Sequence, residues 1–384
     1  MMKQIAYGRQ NITSEDIEAV TAILKGDFLT QGPTIELFEK AFAHYIGSKY
    51  AVAVSNGTAA LHLCTLSLNA NEKSRVITSP ITFAASANCV KYCGGEVHFV
   101  DINPETFTID IDKLIQLIES KPPGYFSGII PVDFAGFPVN MEEIKKIATK
   151  NNLWIIEDAC HSPGAKFKSD DGNIHNSGSG EYADLAIFSF HPVKHIATGE
   201  GGMITTNSKE LYDRLNILRT HGITKNPDLL IENHGGWYYE MQELGYNYRL
   251  TDFQAALGIS QLKRAEDGIK RRNEIAQKYF IELKDLPITL PKQFENTQHA
   301  YHLFIIQTKK RKELYDFLKT VSIFTQVHYI PVHLMPYYKN LGWKKGDFPI
   351  SEEYYDNCLS LPMYPSLTEQ EQEYVIEQIK KFYR

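Results

Sequence analysis

Apolar residues fall at helical spacing over the first 46 positions and then change to short unbroken runs. Ile17, Val20, Ile23 and Leu24 follow Ser14-Glu15-Asp16, which predicts an amphipathic helix with a polar start. Ile35, Leu37, Phe38, Ala41 and Phe42 predict a second helix over 34–45. From residue 50 the runs predict strands over 50–54, 75–78, 96–100, 128–132, 154–157, 185–189 and 203–206. Helices are predicted between them from Thr58, over 84–92 and over 141–151. Strands that are apolar on both faces belong to a sheet covered on both sides, and the alternation makes this an α/β unit with a mostly parallel sheet.

After about residue 250 the pattern changes to helices over 251–262, 264–283 and 368–383 and strands over 302–307 and 324–329. This reads as a smaller α+β unit. The first 29 residues lack the strand–helix alternation and are expected to join it. The expected division is a large domain, 30–250, and a discontinuous small domain, 1–29 plus 251–384. No Gly/Ser/Pro linker separates them, so a helix is expected to connect them.

A length of 384 residues leaves room for two or three domains at ~150 residues each. The net charge of −6 argues against a nucleic-acid or anionic-membrane partner held by bulk charge. The longest apolar runs fall far short of the ~20 residues of a membrane span. Residues 1–7 lack the apolar core of a signal peptide. The five cysteines are an odd number without metal spacing, which predicts reduced thiols, no metal site and a soluble, cytoplasmic protein.

Ligands of open α/β sheets bind at the carboxyl ends of the strands, so the residues there carry the candidate chemistry. Ser55-Asn56-Gly57-Thr58 turns into a helix and offers free N–H groups to a phosphate, as many strand-to-helix turns do. Asp158 ends another strand, where an acid serves a ligand cation or merely caps a helix. Lys194 lies among apolar and small residues before Gly199-Glu200-Gly201-Gly202, a setting that lowers an amine's affinity for protons. His191 and His195 flank it, with no third metal ligand in reach of the pattern. Taken alone, Phe83 fits a core aromatic, Ser189 a strand-end contact and Asn247 a turn. Taken together, a phosphate cradle, an acid and an activated lysine are what pyridoxal phosphate requires.

Asn56-Gly57-Thr58, Thr82-Phe83, Glu157-Asp158-Ala159, Ser189-Phe190 with Lys194, and Gly199 to Gly202 resemble the DegT/DnrJ/EryC1/StrS sugar aminotransferases over nearly the whole chain. The resemblance implies the fold type I, aspartate-aminotransferase-like architecture of pyridoxal-phosphate enzymes and a homodimer. It implies that Lys194 is the Schiff-base lysine and that Asp158 pairs with the pyridine nitrogen. Phe83 would stack on the ring, Ser189 with Asn56, Gly57 and Thr58 would hold the phosphate, and His161 would lie near the phenolic oxygen. Asn247, in Gly245-Tyr246-Asn247-Tyr248-Arg249-Leu250, would reach the partner subunit's site.

Lysine at position 194, where dehydrating relatives carry histidine, implies transamination. Residues 28–32, 188–194 and 326–333 resemble the branch that serves pseudaminic acid biosynthesis. That branch implies glutamate as donor and a UDP-linked 4-keto-6-deoxy-N-acetyl-hexose as acceptor, giving UDP-4-amino-4,6-dideoxy-N-acetyl-β-L-altrosamine. Tyr7, Leu29, Thr30, His328 and Tyr329 would line the sugar-nucleotide pocket, and Arg249 is the candidate for the diphosphate. Position 56 departs from the branch, and 195–197 from the family's usual pattern. A C-4 or C-3 aminotransferase of another UDP- or dTDP-linked keto-sugar therefore stays open, as do a non-catalytic regulator and a cofactor-free nucleotide-binding protein.

Overall fold

Seven strands form one sheet in the spatial order Tyr50–Val54, Gly202–Thr206, Leu185–Ser189, Trp154–Asp158, Gly128–Ile130, Arg75–Thr78, Glu96–Phe99. These come from a computed structural model that describes residues 4–384. The five strands from Leu185–Ser189 onward in that order run parallel to one another. Gly202–Thr206 is antiparallel to both its neighbours. Its link from Ser189 contains no helix, and a parallel return would need a longer crossover. Alternation along one strand explains the unbroken apolar runs. Val52 and Val54 pack with Leu61 and Leu63 on one face, while Ala51 and Ala53 pack with Phe38, Phe42 and Phe188 on the other.

Helices Ile111–Glu119, Lys209–Leu218, Arg311–Thr320 and Pro349–Asn357 stand outside the predicted set. Two of them carry readable caps, since the Asp110 carboxylate accepts from the Lys113 N–H and the Ser208 hydroxyl from the Leu211 N–H. The strand expected over 324–329 shrinks to Ile323–Phe324, parallel to Ile5–Ala6. Beyond it, residues 326–330 turn toward a cavity instead of pairing in a ladder.

A separate apolar cluster joins Ile5 to Ile275, Tyr279, Phe304, Leu361 and Ile379. Helix Ala265–Leu283 links the two regions, with Ala265 in the Phe38–Phe42 cluster and Ile275 in the other. Helix Asp252–Leu262, expected in the small domain, also packs on the larger one. Its Ala255 is buried with Phe38 and Phe42, and its Asp252 carboxylate accepts from the N–H groups of Gly32 and Thr34. Helix Ser14–Leu24 in turn packs on it, with buried Asp16 paired to Arg264. The boundaries expected at 29/30 and 250/251 lie in loops, and helix Asp252–Leu262 beyond the second turns its apolar face to the larger sheet.

One buried carboxylate ties the chain's last third to the sheet. Asp101 accepts from the Ser351 N–H at 2.8 Å, the Ser351 hydroxyl at 2.6 Å and the Ile350 N–H at 3.0 Å, at the start of helix Pro349–Asn357. Burial alone would raise its carboxyl, but these donors outweigh burial and hold it below the usual range. Its stabilising effect is therefore present at neutral pH and is lost as pH falls through the folded value. Asp101→Asn should cost about 2 kcal/mol in chemical denaturation at pH 7, since it leaves donors facing an amide. That cost should shrink once the pH drops below 3.8, where aspartate begins to protonate even when unfolded.

Candidate active site

Strands Trp154–Asp158 and Leu185–Ser189 run parallel with Asp158 opposite Ile187, so both end at one edge of the sheet. Their ends and the turn after Tyr50–Val54 line a cavity of about 890 Å³. This lies high in the ~300–1,000 Å³ range of ligand sites.

The turn has the donor pattern of an anion cradle. The Asn56 side chain accepts the Ala59 N–H at 2.8 Å, and its carbonyl accepts the Ala60 N–H at 3.0 Å. Among the described residues the N–H groups of Gly57 and Thr58 are left without a partner, at the positive end of helix Gly57–Ser67. Gly57 makes a close approach, since a Cβ there would lie 3.1 Å from the Ser189 Cβ, tighter than side chains ordinarily pack. Ser189 thereby borders the same cradle.

Asp158 is 5% exposed and lines the cavity floor. One of its oxygens accepts from the Ser86 hydroxyl at 2.6 Å and the other from the Cys160 N–H at 3.2 Å. Ser86 also contacts the Thr82 hydroxyl at 2.7 Å. Lys194 sits in a turn closed by its N–H to the His191 carbonyl at 2.8 Å. Burial lowers its proton affinity, Cys160 and Asp158 oppose that effect, and Arg272 adds to it.

The opposite wall carries Tyr7, His328 and Tyr329, with His161 between that wall and the floor. His328 contacts the Ser360 hydroxyl at 2.8 Å, and burial first, then Lys194, pushes its pKa down to about 3. Phe83 is 62% exposed and borders the cavity, so it is not the core aromatic that its chemistry alone allows.

Four expected site residues lie outside the cavity of their own chain. Leu29 accepts the Asp252 N–H through its carbonyl, and Thr30 bridges to Thr251, so both are held at the base of helix Asp252–Leu262. Asn247 is exposed and bridges to Thr220, and Arg249 follows Tyr248, which itself lines the cavity. Within one chain these four do not form a sugar-nucleotide wall. Conversely, Ser86, Cys160, Tyr248 and Gln326 belong to the site without having been expected there. Ser86 lies in the first turn of helix Ala85–Tyr92, whose start brings its hydroxyl against that of Thr82.

The donor set fits pyridoxal phosphate. Free N–H groups suit its phosphate, a buried acid its ring nitrogen and a depressed lysine its aldehyde, all around one cavity.

Comparison with known proteins gives the same picture. Spore coat polysaccharide biosynthesis protein SpsC of Bacillus subtilis (strain 168) is 37% identical over 385 residues, covering 98% of this chain and 96% of its own. The UDP-4-amino-4,6-dideoxy-N-acetyl-beta-L-altrosamine transaminase of Campylobacter jejuni is 36% identical, covering 99% of both chains. The structure of Helicobacter pylori PseC, an aminotransferase of pseudoaminic acid biosynthesis, superposes with a TM-score of 0.89 at 29% identity, covering 99% of both chains. The pyridoxal-phosphate form of the putative sugar aminotransferase Spr1654 from Streptococcus pneumoniae gives 0.90 at 28%, covering 99% of this chain and 98% of its own. A sequence model of the DegT/DnrJ/EryC1/StrS aminotransferase family matches residues 10–380, and the chain belongs to that family of pyridoxal-phosphate-dependent sugar aminotransferases.

Proposed function

We propose that this enzyme moves the amino group of glutamate to C-4 of a UDP-linked 4-keto-6-deoxy-N-acetyl-hexose. The products are 2-oxoglutarate and UDP-4-amino-4,6-dideoxy-N-acetyl-β-L-altrosamine, a precursor of pseudaminic acid. The observation that carries the reaction class is the meeting of Lys194, Asp158 and the Gly57–Thr58 cradle around one cavity. The two relatives named for this sugar and its pathway, matched over 99% of the chain, support the acceptor.

Bound pyridoxal phosphate supplies an electron sink that lets a proton leave the carbon bearing the amino group. In this reading Gly57, Thr58 and Ser189 hold its phosphate, with Asn56 fixing the turn. Asp158, oriented by Ser86, keeps the ring nitrogen protonated, and Phe83 covers one face. Lys194 Nζ takes the proton from the donor carbon and returns it, a role suited by an amine whose proton affinity burial has lowered. Tyr7, His328 and Tyr329 face the sugar. The five free cysteines agree with a reducing, cytoplasmic setting.

The working unit in this reading is a homodimer with shared sites. Ile231, Trp237 and Leu244 are 86%, 75% and 77% exposed on the segment leading to Asn247. Such a concentration of bare apolar side chains suits a protein partner. A second copy would cover them and bring Asn247 and Arg249 to the neighbouring cavity, beside its phosphates.

Incubation with glutamate and a panel of UDP- and dTDP-4-keto-6-deoxy sugars, followed by NMR of the products, should show the 4-amino UDP sugar. Lys194→Ala should give none. Amination of dTDP sugars alone would contradict the proposed acceptor, and turnover by Lys194→Ala would contradict the assigned lysine. Mixing Lys194→Ala with Asn247→Ala chains tests the shared site, because a hybrid dimer contains one intact cavity. Activity should rise well above that of either variant, and no gain would place Asn247 in its own subunit's chemistry.

A further inference from the structure

Strand Gly128–Ile130 leads into the turn Phe134-Ala135-Gly136, which lies against His161. Ala135 adopts a φ of 59° and Gly136 a φ of 96°. A Cβ on Gly136 would lie 2.8 Å from the His161 carbonyl. This left-handed turn aims the Ala135 N–H at His161 Nδ1, at 3.2 Å. A backbone N–H can only donate, so Nδ1 must be the bare nitrogen. Burial first, then Lys194, His328 and His195, push the His161 pKa well down, so the ring is neutral and its one proton sits on Nε2. Nε2 lies 3.3 Å from the Tyr329 hydroxyl. Tyr329 must therefore accept there, and its own O–H proton is left over. Among the described residues no other group takes that proton.

We infer that Tyr329 is a catalytic hydrogen-bond donor to an anionic or carbonyl oxygen held in the cavity, and that His161 is the positioning residue that turns its O–H there. The chain of donors runs from the Ala135 N–H through His161 to Tyr329 and ends on the bound molecule. Two oxygens have the right chemistry, the phenolic oxygen of the cofactor and the keto oxygen of the sugar. Either gains charge that a fixed donor stabilises without reorganisation. The inference rests on the reading of this cavity as the aminotransferase site, but the tautomer that underlies it does not.

Nitrogen-15 NMR of histidine-labelled, cofactor-free protein reads the tautomer directly, with His161 assigned by its absence in His161→Gln. Nε2 should be protonated and Nδ1 bare. Tyr329→Phe keeps the ring and removes the donor. If the oxygen is the cofactor's, this variant should bind pyridoxal phosphate about 10- to 100-fold more weakly in an absorbance titration. If it is the sugar's, cofactor affinity and the glutamate half-reaction should be unchanged. In that case kcat with whichever panel sugar the wild type aminates should fall by a similar factor. His161→Gln, whose amide can accept from Ala135 and donate to Tyr329, should retain most of the wild-type behaviour, whereas His161→Leu should resemble Tyr329→Phe. A proton on Nδ1, or a Tyr329→Phe enzyme with unchanged affinity and kcat, would overturn the inference. Failure of the wild type with UDP sugars would overturn only the proposed acceptor.

Discussion

The parallel pairing of Trp154–Asp158 with Leu185–Ser189 is the constraint on which the site depends. With Asp158 opposite Ile187, the two strands finish together, and the chain leaves them at one edge as an acid and a lysine-bearing turn. Parallel neighbours need a crossover, so the residues of this pair are far apart in sequence and adjacent in space. A register slip of one residue would turn Asp158 to the other face of the sheet, away from Lys194. The antiparallel return of Gly202–Thr206 then closes the lysine turn behind the cavity and brings Gly57 against Ser189.

Burial of polar groups is costly, and the cavity shows how the fold offsets it. Asp158 keeps two donors, Ser86 and the Cys160 N–H. Arg272, 1% exposed, has no carboxylate partner among the described residues and donates instead to the carbonyls of Tyr301, His302 and Met363. Burial pushes its pKa down to about 9, and its charge bears on Lys194 and His195. The same desolvation holds His161 and His328 neutral, so the walls offer hydrogen bonds and not competing cations. Asp101 completes the frame by fixing helix Pro349–Asn357, whose Tyr354 hydroxyl donates to the His328 carbonyl at 2.6 Å.

Much of this was legible in the chain. Strand Tyr50–Val54 and helix Met141–Asn151 follow from short apolar runs and helical periodicity, and the order of Gly57, Asp158 and Lys194 follows from reading what comes after each strand. What the pattern concealed has physical causes. Helix Asp252–Leu262 reads as amphipathic, but periodicity does not say which sheet its apolar face meets. Residues 326–330 have strand-like composition yet line a cavity, so beyond Phe324 pairing is reduced to a single bridge from Gln326 to Ser360. Leu29, Thr30, Asn247 and Arg249 lie outside the cavity, because motif spacing along the chain does not say which side chains the fold brings to one wall. Ser86 was missed because a lone serine in a helix carries no signal until its neighbour Asp158 is known in space.

The central claim is that Lys194 is the group that bonds the cofactor, and reductive trapping reads it most directly. Loading the protein with pyridoxal phosphate, reducing with borohydride and mapping the peptides by mass spectrometry fixes the label on one residue. The label should fall on Lys194, and Asp158→Asn should weaken cofactor binding without moving it. A label on any other lysine, or none on a protein that remains yellow before reduction, would contradict the account.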